Sequence, residues 1–272
     1  MDQVTLEGTT VHKLRSEQIG QNYVINVGLP PRYNPDGDPY PVVYVTDGGP
    51  QFTSLQSVTP LMQMTGELTP FITVGISYDV EVSIHAMTLR NRDLTHCAGE
   101  MSLDDEAPDW FRSLPQADPG GAENFLNFII DEVKQLVRET YNVSDDTTYA
   151  GYSLGGLFGL FALFSKPASF QRYIIGSPSI WWSDRNILSL EEAYAKNHDD
   201  LNATVYMSSG RLEEPEDAPD QSAMVSNMTD LAETLTKRGY QNLKLVHQVI
   251  DDETHMSCGP LAMLRGVRKV FG

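Results

Sequence analysis

Six short apolar runs, rich in β-branched and aromatic residues, punctuate the chain. They are "PVVYVTDGG" (41–49), "FITVGISY" (71–78), "TTYAGYS" (147–153), "YIIGSPS" (173–179), "ATVYMSSG" (203–210) and "LKLVHQVI" (243–250). Runs this short, apolar at successive positions and closed by turn residues, predict strands buried on both faces. Helical patterns fall between them. In "GAENFLNFIIDEVKQLVRETY" the apolar residues Phe125, Phe128, Ile129, Val133, Leu136 and Val137 recur every three or four positions, one stripe along a helix. In "QSAMVSNMTDLAETLTKRG" Met224, Met228, Leu231 and Leu235 share a face, and Gly239 is a natural C-terminal cap. Alternation of this kind predicts an α/β fold, a mostly parallel central sheet with helices on both faces. The opening segments 3–15 and 22–29 have no helix between them and predict an antiparallel edge hairpin on that sheet.

With 272 residues, 40% of them hydrophobic, the expectation is one α/β domain spanning 1–272. The Pro-, Asp- and Gly-rich stretch 96–121 breaks the rhythm and is too long for a plain connection. It is expected to be a lid or substrate-binding loop, with Trp110 and Phe111 folding over a pocket, or else a surface loop pinned by an aromatic cluster. Lysine and arginine total 19 against 37 acidic residues, a net charge of −18. No basic field exists to attract phosphates, which argues against nucleic acid or an anionic membrane as partner. No apolar run approaches a bilayer span, and MDQVTLEGTT lacks the basic-then-apolar order of a secretory leader. A cytoplasmic location is expected. The two cysteines, Cys97 and Cys258, form neither a disulfide framework nor a metal-ligand spacing, so no metal and no cofactor is called for.

Within "TTYAGYSLGGLFGLFAL" a strand gives way to a helix across Gly-Tyr-Ser-Leu-Gly-Gly, with Ser153 at the corner. Gly-x-Ser-x-Gly is weak as a pattern alone; between a strand and an apolar, glycine-rich helix it matches the nucleophile elbow. Glycines at 151 and 155 clear the crowded turn, and the helix start aims the Leu154 N–H at a developing oxyanion. A serine hydroxyl needs a base to take its proton. Of six histidines, His12, His85 and His96 precede the serine, His198 ends a helix, and His247 lies inside the last strand, where a half-buried structural imidazole is expected. His255, in "DDETHMS", follows the last strand directly and is the candidate base, in the chain order Ser, acid, His. The acid should lie in "SSGRLEEPED", at the tip of the preceding strand. Glu213 is first choice and Glu214 second, with Glu216 and Asp217 beyond Pro215 less favoured. The second oxyanion N–H is expected from the tip of "VVYVTDGG", from Gly49 or, failing that, Gly48.

These pieces resemble the putative-esterase branch of the α/β-hydrolase superfamily, which includes esterase D, feruloyl esterases, mycolyl transferases and trilactone siderophore esterases. The resemblance rests on "VVYVTDGG", "TLRNRDLT", "GGAENFLNFIIDEVKQLVRETY", "AGYSLGGLFGLFAL", "FQRYIIGSPSIWW", "SSGRLEE" and "DDETHMS", in family order from about residue 20 onward. "SPSIWW" and "RNRDLT" point to its siderophore-esterase-like subgroup. The resemblance implies an α/β-hydrolase fold and a serine carboxylesterase acting on a small-molecule ester. In it Ser153 is nucleophile, His255 base, an acid lies in the Gly210–Glu214 turn, and Gly49 serves the oxyanion hole. Arg92, Tyr152 and Trp181 are the candidate substrate-binding residues; Arg92 could equally pair with Asp93. Acyl transfer to an alcohol on the same machinery, or a catalytically silent binding protein, are the alternative functions.

Overall fold

Every run predicted as a strand is one. The computed structural model describes residues 5–80, 83–99, 118–214 and 222–271. In it β3 (Tyr40–Val45), β4 (Ile72–Tyr78), β5 (Val143–Tyr152), β6 (Arg172–Gly176), β7 (Ala203–Gly210) and β8 (Leu243–Ile250) join an N-terminal pair, β1 (Thr9–Arg15) and β2 (Asn22–Gly28). They make one eight-stranded sheet in the order β1-β2-β4-β3-β5-β6-β7-β8. β1 pairs antiparallel with β2, and β2 antiparallel with β4. The other pairings are parallel. The expected antiparallel hairpin thus occupies one edge.

Side-chain alternation divides the core. Val42 and Tyr44 face one side of the sheet, with Leu157, Phe158 and the aromatic stripe of 122–140. Val43 and Val45 face the other, with Phe52, Ala262 and Met263. The first layer is built by α3 (122–140) and α4 (Leu154–Ser165), the second by α1 (Pro50–Thr65) and α7 (His255–Phe271). Helix α2 (Ser83–Leu94) precedes α3; α5 (Ile187–Asn197) and α6 (Met224–Arg238) complete the helices used below. Helix α6 runs as its spacing demands: Met224, Met228, Leu231 and Leu235 are buried, and Gly239 caps it at φ 70°. In α3 a π-helical turn, Ile129–Val133, interrupts the regular helix that the stripe predicted. Phe125, Phe128, Ile129, Val133 and Val137 nevertheless all reach the core, and Lys134, next after the π turn, is buried with them.

Parallel strands deliver their C-terminal ends to one edge of the sheet, so the residues after β3, β5, β6, β7 and β8 gather there. Beside that edge Trp182 is fully buried; its indole N–H donates to Cys97 O at 3.3 Å, and Ser183 Oγ donates to Ala98 O at 3.1 Å. These bonds fix the start of the 96–121 segment. Residues 100–117 of that segment, Trp110 and Phe111 included, lie outside the described residues. Among the described residues no helix is long and apolar enough to cross a membrane.

Candidate active site

β5 ends at Tyr152 and α4 starts at Leu154, which leaves Ser153 alone on the corner at φ 61° and ψ −119°. A side-chain-bearing residue holds such a backbone only when its surroundings enforce it. Here the Ser153 N–H donates to Gly176 O at 2.9 Å, while its carbonyl accepts from the amides of Leu157 and Ser179 at 3.0 and 3.2 Å. A β-carbon at Gly151 would overlap the Gly155 carbonyl, so the first glycine of the motif is dictated by the sharpness of the turn.

The hydroxyl so presented lies 3.1 Å from His255 Nε2. His255 is the first residue of α7, reached from β8 through a turn with Asp252 at φ 64°. Its Nδ1 is 2.6 Å from Glu213 Oε2. A carboxylate facing Nδ1 keeps the proton on that nitrogen and leaves Nε2 as the acceptor for the serine. Glu213 closes a single 3-10 turn, Arg211–Glu213, at the tip of β7 and is buried. Its other oxygen accepts from the Gly210 N–H at 2.7 Å and from Ser177 Oγ at 2.6 Å. Burial is the largest influence on this carboxyl and acts to raise its pKa. The bonds from His255, Ser177 and Gly210 together outweigh it and hold the group below its ordinary value.

Glu214, the second candidate acid, turns away: its carboxylate accepts from the amide and hydroxyl of Ser226 at 2.7 and 2.6 Å, in the first turn of α6. Glu216 and Asp217 lie outside the described residues. The remaining described histidines are engaged or exposed elsewhere. His12 meets the Tyr141 hydroxyl at 2.8 Å, and His198 stacks on Tyr194 with centroids 4.1 Å apart. His247 was expected to be half-buried but is exposed, because β8 is an edge strand.

At the tip of β3 the two glycines differ. Gly48 donates its N–H to Ile76 O at 3.0 Å, and a β-carbon there would come within 2.5 Å of the β4 backbone. Gly49 has open space where a β-carbon would stand, so the close approach requiring glycine falls at 48. Among the described residues the amides of Gly49 and Leu154 meet no protein acceptor. Thr46 N–H donates to Ala150 O at 3.1 Å, which brings the β3 tip beside the end of β5.

Of the three candidate substrate-binding residues, one lines the pocket. Trp181 shares a pocket of about 410 Å³ with Ser153, Ser179, Leu212, Glu213, Ser222, Met224 and His255. Tyr152 instead lies behind the serine, 6% exposed. Its hydroxyl donates to His255 O at 2.7 Å and sits 2.9 Å from Ser177 Oγ, so it supports the histidine's backbone. Arg92 takes its structural alternative: its guanidinium donates to Asp93 at 2.6 and 3.1 Å and to the Tyr23 hydroxyl at 3.3 Å. Asp93 is almost wholly buried and needs that charge. Cys258 is buried nearby, and burial together with the Glu213 charge pushes its thiol up to about 11, which rules it out as a competing nucleophile near neutral pH.

Sequence reasoning missed three contributors. Ser177 holds Glu213. Ser179 Oγ is 3.5 Å from Ser153 Oγ. Arg90 bonds Asp47 and the Tyr152 carbonyl. The serines belong to the "SPS" after β6, the strand beside β5, and that adjacency was the signal available.

Residues 16–248 match the family model described as "Putative esterase". The chain is 31% identical over 272 residues to the ferri-bacillibactin esterase BesA of Bacillus subtilis, covering 97% of this chain and 90% of that protein. Among solved structures it superposes on the BES protein from Bacillus cereus with a TM-score of 0.83 at 29% identity, covering 100% of this chain and 99% of that one. It also superposes on the siderophore hydrolase EstA from Aspergillus nidulans with a TM-score of 0.81 at 25% identity, covering 96% and 93% of the two chains.

Proposed function

The chain belongs to the putative-esterase family and is a carboxylic ester hydrolase of α/β-hydrolase fold, and we propose that Ser153, His255 and Glu213 carry its chemistry as nucleophile, base and acid. The carrying observation is the unbroken line from Ser153 Oγ to His255 Nε2 at 3.1 Å and from His255 Nδ1 to Glu213 Oε2 at 2.6 Å. Ser153 Oγ gives its proton to Nε2 as it bonds the ester carbonyl carbon. The imidazolium that forms faces the Glu213 carboxylate, held ionised by three donors. The N–H groups of Leu154 and Gly49 receive the tetrahedral oxyanion. His255 then hands the proton to the departing alcohol, leaving an acyl-enzyme. Water, deprotonated by the same Nε2, releases the acid.

The substrate we assign is a siderophore ester, supported by the two relatives named for acting on siderophores. Trp181 gives that substrate an aromatic wall in the pocket beside Ser153. A cytoplasmic location belongs to the same proposal, supported by two cysteines that are both free thiols. The test is a panel of p-nitrophenyl esters and a catecholate trilactone, each with wild type and Ser153→Ala. Wild type should turn over the trilactone, and the variant should lose at least about 10³-fold in kcat on every ester. Equal rates for the two proteins would overturn the assignment of Ser153, and turnover of the simple esters alone would overturn the siderophore assignment.

A further inference from the structure

Arg90, on α2, reaches two loops that the chemistry needs in fixed relation. Its Nε donates to Asp47 Oδ1 at 2.6 Å and its Nη2 to Asp47 Oδ2 at 2.9 Å, a bidentate pair. The same Nη2 donates to the carbonyl of Tyr152, the residue before the serine, at 3.2 Å. The two side chains are only 24% and 15% exposed. Asp47 opens the loop that carries Gly49 and sits at φ 54°, a conformation costly for any residue with a side chain. A second tie runs parallel: Thr46 Oγ1 lies 3.0 Å from the Tyr149 hydroxyl, which donates to Gly155 O at 2.7 Å in the first turn of α4.

We propose that Arg90 is a positioning residue, a clamp that holds the Asp47–Gly49 loop against the Tyr152 carbonyl and so sets the spacing of the Gly49 and Leu154 amides. The two amides come from separate strand tips whose ladder ends at the Thr46 N–H to Ala150 O bond, and beyond it the loop is held by the Gly48 N–H on Ile76 O and by the Arg90 fork. An oxyanion needs both donors at hydrogen-bond distance from one point. A largely buried ion pair is a poor source of net stability, and a bidentate fork is a good source of fixed geometry. Lysine would keep the charge but lose the fork. The inference rests on the serine-esterase reading above, because the donors it aligns are those assigned there.

The test compares wild type, Arg90→Lys, Arg90→Ala and Asp47→Asn on a p-nitrophenyl ester, with Ser153→Ala as the check on the underlying reading. Arg90→Lys should lower kcat about 10- to 100-fold, the scale for a slightly misplaced catalytic group, with KM within about threefold of wild type. Added guanidinium ion should restore part of the kcat of Arg90→Ala, and the Arg90→Lys/Asp47→Asn double variant should lose no more than the worse single one. A readout independent of turnover is the backbone amide resonance of Gly49, which should move in folded Arg90→Lys. Folded variants with unchanged kcat, or an unmoved Gly49 resonance, would overturn the clamp. Loss of kcat in Arg90→Ala without guanidinium rescue would reduce Arg90 to a structural prop. A wild type that hydrolyses no faster than Ser153→Ala would refute the esterase reading instead, and the Gly49 resonance would still decide the clamp.

Discussion

Glu213 and Glu214 are neighbours in sequence and serve different elements: Glu213 Oε2 lies 2.6 Å from His255 Nδ1, whereas Glu214 accepts from the Ser226 amide at 2.7 Å and caps α6. The 3-10 turn at the end of β7 separates them, directing one inward and the next outward. Glu213→Gln should therefore lower kcat by about 10²- to 10⁴-fold, since the amide cannot stabilise an imidazolium. Glu214→Gln should leave kcat within about threefold and lower stability by about 0.5–2 kcal/mol through the weakened cap. Steady-state kinetics and denaturant unfolding on the two variants separate the roles.

Acid should destabilise the protein partly through Glu213. Its carboxyl is held below the ordinary value of about 4.5, so the unfolded chain binds its proton first as pH falls. Stability from this group is complete above the unfolded value and is lost as pH falls through the folded one. Thermal unfolding between about pH 6 and pH 3 should show a shallower decline in Glu213→Gln than in wild type.

Lys134 gives a pH signal of the same sign in the alkaline range. Its ammonium lies 4.1 Å above the Phe170 ring centroid and donates to Ser169 O and Thr147 Oγ1. Burial, aided by Arg138 and opposed by Asp145, pushes it down to about 8 from 10.5. Between those values the unfolded chain holds more protons than the folded one, so this group makes stability rise with pH across that window. Wild type should gain melting temperature relative to Lys134→Met as the buffer is moved from about pH 7 to about pH 9.5, and parallel curves would contradict this.

The glycine pair at the β3 tip should respond unequally. Gly48→Ala drives a β-carbon into the backbone of Gly75 and Ile76, which cannot yield as a flexible side chain would. A loss of about 1–3 kcal/mol or more is expected. Gly49→Ala places a methyl in open space at φ −76°, which alanine adopts freely, so its unfolding curve should match wild type.

The sheet was legible because its strands are short apolar runs separated by strong helical periods, and helix α6 because its cap and stripe agree. Ser153 and His255 were legible because the elbow and the loop after the last strand impose local patterns. The choice between Glu213 and Glu214 was ordered by distance from the strand tip, but which one turns inward is decided by one 3-10 turn. Arg92 had two readings, pocket or pair with Asp93, and the sequence shows the neighbouring aspartate but not its burial, which decides for the pair; Tyr152 was misplaced because its hydroxyl points behind the serine. Ser177 and Arg90 act through partners distant in sequence, at Glu213 and Asp47, and no periodicity records such contacts. The π turn of α3 was invisible for the same reason: the stripe survives it.

Treatment with diisopropyl fluorophosphate followed by peptide mapping tests the convergence of Ser153 with His255 most directly. One phosphoryl adduct is expected, on Ser153, formed in step with complete loss of ester hydrolysis and nearly abolished in His255→Ala. A protein that is fully modified yet still hydrolyses esters, or an adduct that maps to another residue while Ser153 stays free, would contradict that convergence.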